Sequence, residues 1–322
     1  MATTQSQNKQ SNVSSDNNIN KLTPAQTEAR GILNHVLTQL QSHPHYNTTY
    51  GPWIQRNGHA QLLAFCHTLV LPQTWNFLSH RWSLDALKPL SGDLRYSGRA
   101  IYLDGILGLD KRLRIYVGQS HNLRARVAQH LNFRYRRDHS SLHYFALQES
   151  VYNVLGAVIF LPGVNSGPGT DDMALLMNVL ELWMCLVFRS LPMQVLEEWL
   201  PDDGSVERKR KVGREGVVGG LNVACPLDQG REDRAFVDLR DDEDPLIKAY
   251  LKEVRRKKEE EREEEQEIVR RKEAYVEKAR GYKGGDGDIR IPQWVLYSVL
   301  AGVLGYVLVS SRVGQRLRWW MR

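Results

Sequence analysis

The sequence predicts an α+β fold: a small mixed three-stranded sheet flanked by helices, with an N-terminal helical extension, a charged helix and one C-terminal transmembrane helix. Three observations carry this. Arg114-Ile115-Tyr116-Val117 alternates, and Val151 to Phe160 is rich in aromatic and β-branched residues, as strands are. Ile32, Leu33, Val36, Leu37 and Leu40 recur at helical spacing. Leu246 to Tyr282 is nearly all Lys, Arg and Glu, whereas 291–311 carries no charged residue.

Taken in order, residues 1–20 are Ser, Asn, Gln and Thr with no apolar periodicity, so nothing offsets the entropy of ordering them. They lack the apolar run of an export signal and the arginine-rich helix of a mitochondrial presequence. The helical extension covers 21–94. Thr23-Pro24 opens its first helix, with Gln26 placed for a capping box. Its histidines at 35, 43, 45, 59, 67 and 80 fit no metal-ligand spacing. Cys66, Cys185 and Cys225 suggest neither a disulfide framework nor a zinc site, and the expected compartment is reducing.

The segment 95–228 is the expected catalytic domain. Ala100-Ile101-Tyr102 and Tyr116-Val117-Gly118-Gln119-Ser120 read as two strands, with Gly118 turning the chain and Ser120 capping a helix. On that helix Leu123, Val127 and Leu131 form a ridge to be buried. Asn122, Arg126 and His130 form the neighbouring ridge, with guanidinium and imidazole at i and i+4. The net charge of +6 is concentrated here: Arg95, Arg99, Lys111, Arg112, Arg114, Arg124, Arg126, Arg134, Arg136 and Arg137 face only Asp104 and Asp110. Such a field suits a polyanion, because each phosphate contact releases counterions.

Beyond a basic loop at 134–141, Leu142 to Leu147 and Val151 to Phe160 complete the sheet. Thr170-Asp171-Asp172 then caps a helix that is apolar almost all round, with Glu181 in its middle. An unpaired buried carboxylate is costly and tends to shift its pKa, so something must compensate it, and a side chain such as Arg126 is one partner. An acidic linker follows at 229–244, then a charged helix over 245–283 that serves as a spacer of roughly 50 Å at about 1.5 Å per residue. Glu253 with Lys257 and Glu267 with Arg271 are favourable i to i+4 pairs, and the stripe at Ile247, Leu251 and Val254 allows a short contact with a second copy. A span over 291–311 with a basic tail at 312–322 reads as a tail anchor facing cytosol or nucleoplasm, the mitochondrial outer membrane slightly ahead of endoplasmic reticulum or nuclear envelope.

Tyr102 in Ala100-Ile101-Tyr102, then Tyr116-Val117-Gly118-Gln119-Ser120, Leu123, Arg126 and His130, resembles the signature of the GIY-YIG nuclease superfamily, including the spacing from second tyrosine to arginine to histidine. Ala100 replaces the first glycine, and the interval between the tyrosines is long for the family. The resemblance implies an endonuclease acting on nucleic acid, DNA ahead of RNA. It implies that Glu181 holds one divalent ion, Mg²⁺ or Mn²⁺, and that Asn222 takes the place of an asparagine near the domain's end. Water would hydrolyse a phosphodiester, with Arg126 offsetting phosphoryl charge. Tyr102 and Tyr116 would orient or deprotonate that water, one of them with its pKa lowered by nearby cations, and His130 would share the proton or orient its neighbours. Arg99, Arg112, Arg114, Arg124, Arg134, Arg136 and Arg137 are the expected contacts to nucleic acid. The alternative function is a non-catalytic nucleic-acid tether on a membrane that keeps this fold.

Overall fold

The computed structural model describes residues 22–80, 82–201, 217–231, 234, 236–281, 294–295 and 297–303. Four helices come first: α1 (Pro24–Ser42), α2 (Asn47–Asn57), α3 (His59–Leu69) and α4 (Pro72–Leu78). The expected capping box forms, the Thr23 hydroxyl accepting from the Gln26 amide while the Gln26 side chain accepts from the Thr23 amide. Ile32, Leu33, Val36, Leu37 and Leu40 are all buried. A short helix, α5 (Leu84–Leu87), and a 3₁₀ turn (Lys88–Ser91) lead into the sheet.

The antiparallel hairpin of β1 (Ala100–Gly108) and β2 (Leu113–Ser120) is the sheet's centre. Then come α6 (Leu123–Leu131), α7 (Phe133–Asp138), α8 (Leu142–Gln148) and β3 (Ser150–Phe160), which pairs antiparallel with β1. The apolar helix is α9 (Met173–Val187), capped by the Asp172 carboxylate, and is followed by α10 (Met193–Trp199). A short strand, β4 (Val217–Gly220), pairs parallel with β2, giving the order β3-β1-β2-β4. The charged helix is α11 (Pro245–Gly281), and both expected pairs form, Glu253 with Lys257 at 3.8 Å and Glu267 with Arg271 at 2.5 Å.

Alternation divides the hairpin's two faces. Ile101, Leu103, Ile115 and Val117 join α1 to α4 and α9 in the main core, so the N-terminal helices and the sheet share one apolar interior. Tyr102 and Tyr116 point to the opposite face, with Ala100, Leu123 and Ala157. Fully buried in that second cluster, Ala100 is a packing position under the strand.

Several expectations are corrected. Among the described residues the sheet has four strands, not three. Its fourth strand contains Gly219 and Gly220, just before Asn222. Their lack of side chains is what lets this edge pack: a Cβ on Gly220 would lie 2.2 Å from the Ser190 carbonyl oxygen. Leu142 to Leu147 is helix, because the Ser141 hydroxyl caps it by accepting from the Tyr144 amide. The basic loop likewise contains α7, capped by Asn132. The cap of α6 is Asn122, while Ser120 still belongs to β2. Leu131 is 71% exposed instead of buried, since α6 ends there and the chain turns away.

The C-terminal transmembrane helix is also corrected: among the described residues, no helix is long and apolar enough to cross a membrane. Of the stretch 291–311, residues 294–295 and 297–303 are helical, and its other positions lie outside the described residues, as do 1–20 and the basic tail. The tail-anchored location, on the mitochondrial outer membrane or the endoplasmic reticulum and nuclear envelope, falls with it.

Candidate functional site

The hairpin register sets the site's floor. Tyr102 lies opposite Gly118, and Asp104 opposite Tyr116, so these four positions share one face of the sheet. Gly118 does not turn the chain. It makes room: a Cβ there would stand 2.6 Å from the Tyr102 hydroxyl oxygen and 2.9 Å from the Tyr116 ring. α6 then crosses this face and brings His130 down, with Nε2 hydrogen-bonded to the Tyr102 hydroxyl at 2.9 Å. Arg126, one turn earlier, is half-buried near Tyr135 and Tyr144, whose phenols it favours ionising against the effect of burial.

Glu181 approaches from the other layer. It is 4% exposed on α9, and its Oε2 has no hydrogen-bond partner among the described residues. Burial pushes its carboxyl up to about 7, against the pull of Arg234, a hydrogen bond from Gln119, and Arg126. Gln119 is itself anchored, its Nε2 donating to Asn178 Oδ1 at 2.7 Å, and Asn178 Nδ2 donates to the Tyr50 hydroxyl at 3.2 Å. A polar chain thus runs from the carboxylate to the N-terminal helices.

The phenols are less acidic than a free tyrosine. Burial raises Tyr102 well above its ordinary value, with Tyr116, Tyr144 and Glu181 adding and Arg126 opposing. Burial also raises Tyr116, with Glu181 adding, while Arg126 and a hydrogen bond from Tyr102 oppose. The lowered tyrosine pKa expected from sequence is therefore reversed, because desolvation outweighs one guanidinium. Burial, aided by His143, Arg126 and Arg136, presses His130 down to about 2. It is neutral at physiological pH, and its Nδ1 has no partner among the described residues. Burial opposes the charge on Arg126, but Tyr102, Tyr116, Tyr144 and Tyr135 outweigh it and raise the guanidinium pKa.

Four of the six expected residues thus gather on one face of the hairpin, Tyr102, Tyr116, Arg126 and His130, and Glu181 on α9 is near enough for its charge to act on both phenols. The sixth, Asn222, is engaged elsewhere. Its Oδ1 accepts from the Val117 amide at 3.0 Å and its Nδ2 donates to the Val117 carbonyl at 2.7 Å. It continues the edge of β2 beyond the point where β4 stops pairing, and so holds the strand next to Tyr116.

The seven arginines separate in the same way. Arg114 is buried between two carboxylates, its Nη2 lying 2.6 Å from both Asp110 Oδ2 and Asp244 Oδ1, and is closed to a phosphate. Arg136 Nη1 donates to the His130 carbonyl, and Arg137 pairs with Asp138 at 3.0 Å. Arg112 is 4.0 Å from Asp110 and mostly exposed. Arg124 and Arg134 are exposed and Arg99 is half-buried.

Three residues were missed. Asp104, fully buried, accepts from His143 Nε2 at 3.0 Å and from Asn153 Nδ2 at 3.0 Å. His143 lies flat on the Tyr116 ring, with centroids 4.0 Å apart and planes 7° from parallel. Asp104 was visible only as one of two acids in a basic stretch, and no spacing links it to His143 on α8.

Among the described residues, no group of three or more His, Cys, Asp or Glu side chains is gathered for a metal ion. One carboxylate suffices for a different kind of site, in which a hard cation keeps several waters and shares the substrate phosphate. The unpartnered, buried Glu181 Oε2 fits that donor role. No protein-family model, curated protein or solved structure matches this chain.

Proposed function

We propose that the chain is an endonuclease of the GIY-YIG type that hydrolyses phosphodiester bonds in nucleic acid with one divalent ion, Mg²⁺ or Mn²⁺, at Glu181. The observation that carries the reading is the gathering of two phenols, a guanidinium and a neutral imidazole from β1, β2 and α6, within electrostatic reach of a buried carboxylate whose Oε2 has no hydrogen-bond partner among the described residues.

A divalent ion held by Glu181 would polarise the scissile phosphate and stabilise the leaving oxygen. Arg126 offsets charge that develops on the phosphoryl group, and Tyr135 and Tyr144 lie next to it. Tyr102, hydrogen-bonded to His130, orients the attacking water through its hydroxyl. The neutral His130, too weak a base to take a proton at physiological pH, fixes the Tyr102 hydroxyl through that bond. Exposed Arg124 and Arg134, with Arg99 and Arg112, supply backbone contacts on the approach.

The test is direct. The purified full chain is incubated with labelled linear and branched DNA and RNA in Mg²⁺, Mn²⁺ or a chelator. Cleavage of DNA that needs the metal and falls at least about 100-fold in Arg126→Ala and in Glu181→Gln is the expected result. Cleavage that survives Glu181→Gln refutes the metal assignment. Binding of every substrate without cleavage selects a nucleic-acid-binding protein instead.

A further inference from the structure

We infer that Asp104 and His143 form a positioning pair that clamps the Tyr116 ring in its working orientation, a role that no motif in the sequence assigns. The catalytic consequence rests on the nuclease reading; the clamp itself does not.

The geometry is over-determined from both sides. Tyr116 stands on β2 directly across the hairpin from Asp104. One side of its ring faces His143 of α8 in a parallel stack, with centroids 4.0 Å apart. A stack fixes separation but leaves the upper ring free to slide and turn. Here rotation of His143 is set by the 3.0 Å bond from its Nε2 to Asp104 Oδ2, and Asp104 is in turn held by Asn153 through its other oxygen. Both carboxylate oxygens are occupied by named donors, so a fully buried acid is satisfied without a cation. The clamp extends one step further: His130 meets His143 edge-on at 5.0 Å and carries the hydrogen bond to Tyr102. One buried carboxylate thereby governs the rings next to both phenols. An apolar residue at 104 would suit a strand interior better, since burying a charge there is costly unless it is paired.

Orientation at a reacting centre is worth large factors in rate, because a misplacement of about 1 Å costs on the order of 100-fold. His143→Gln keeps a donor for Asp104 but has no ring to stack, and Asp104→Asn leaves one oxygen to serve two donors, so His143 loses its fixed rotation. The full chain is labelled with ¹³C in the tyrosine rings, and the Tyr116 signal is assigned by its loss in Tyr116→Phe. In His143→Gln the Tyr116 ring signal should move and kcat should fall about 30-fold, with KM within about twofold of wild type. In Asp104→Asn the Tyr116 signal should move in the same sense and kcat should fall about 10-fold, again with KM within about twofold. A Tyr116 signal unmoved in His143→Gln overturns the clamp, and so does an unchanged kcat in a cleaving enzyme. If the wild-type chain cleaves nothing, the nuclease reading falls and the ring signal alone decides the clamp.

Discussion

Replacing Glu181 with glutamine should stabilise the metal-free protein at alkaline pH, an unusual outcome for a candidate active-site change. The carboxyl is carried from an ordinary 4.5 to about 7 by burial, so the folded chain resists ionising it. At about 1.4 kcal/mol for each tenfold change in proton affinity, the charged form costs about 3 kcal/mol above pH 7. The sign follows from linkage. Between 4.5 and 7 the folded state binds more protons than the unfolded one, so stability is full below 4.5 and declines as pH rises through 7. Glutamine is similar in size and never ionises, so it escapes that decline. Urea unfolding of wild type and Glu181→Gln in chelator should give similar midpoints at pH 4.5, and an advantage of about 3 kcal/mol for the variant at pH 8. Added Mg²⁺ should narrow the gap by binding the ionised wild type. A variant less stable than wild type at pH 8, or a gap independent of pH, would show that the carboxylate is compensated within the protein and refute the reasoning.

Three further outcomes are expected. His130, pressed from 6.5 to about 2, is neutral when folded and takes a proton when unfolded, so its contribution is present above pH 6.5 and lost as pH falls towards 2; His130→Phe should flatten the acid side of the stability profile below pH 6.5 in urea titrations. Arg114→Leu should cost about 3–5 kcal/mol of unfolding free energy by leaving Asp110 and Asp244 without their shared cation. Arg124→Ala should leave stability within about 0.5 kcal/mol and lower the salt slope of nucleic-acid binding by about one, as read by fluorescence anisotropy.

Where a signal lay within one turn or one strand, it was legible. The capping box at Thr23, the apolar stripe of α1, the Asp172 cap and the pairs along α11 are each short-range, and each is found. Tyr102, Tyr116, Arg126 and His130 also came from local spacing. Glu181 stood out because nothing around it in α9 is charged, and charge in an apolar helix demands an account. Aromatic content misled at Leu142 to Leu147, where one serine cap outweighs strand propensity.

The sequence by itself determined the hairpin with its two tyrosines, the ridge carrying Arg126 and His130, and the isolation of Glu181, because periodicity and capping act between residues a few positions apart. Tertiary structure alone decided how long-range partners are shared. Arg114 was taken by Asp244, 130 residues away, Asn222 was spent on the Val117 backbone, and Asp104 was joined to His143. It also decided the proton affinities, since desolvation depends on what packs over a group: the same cover raised both phenols and Glu181 and kept His130 neutral.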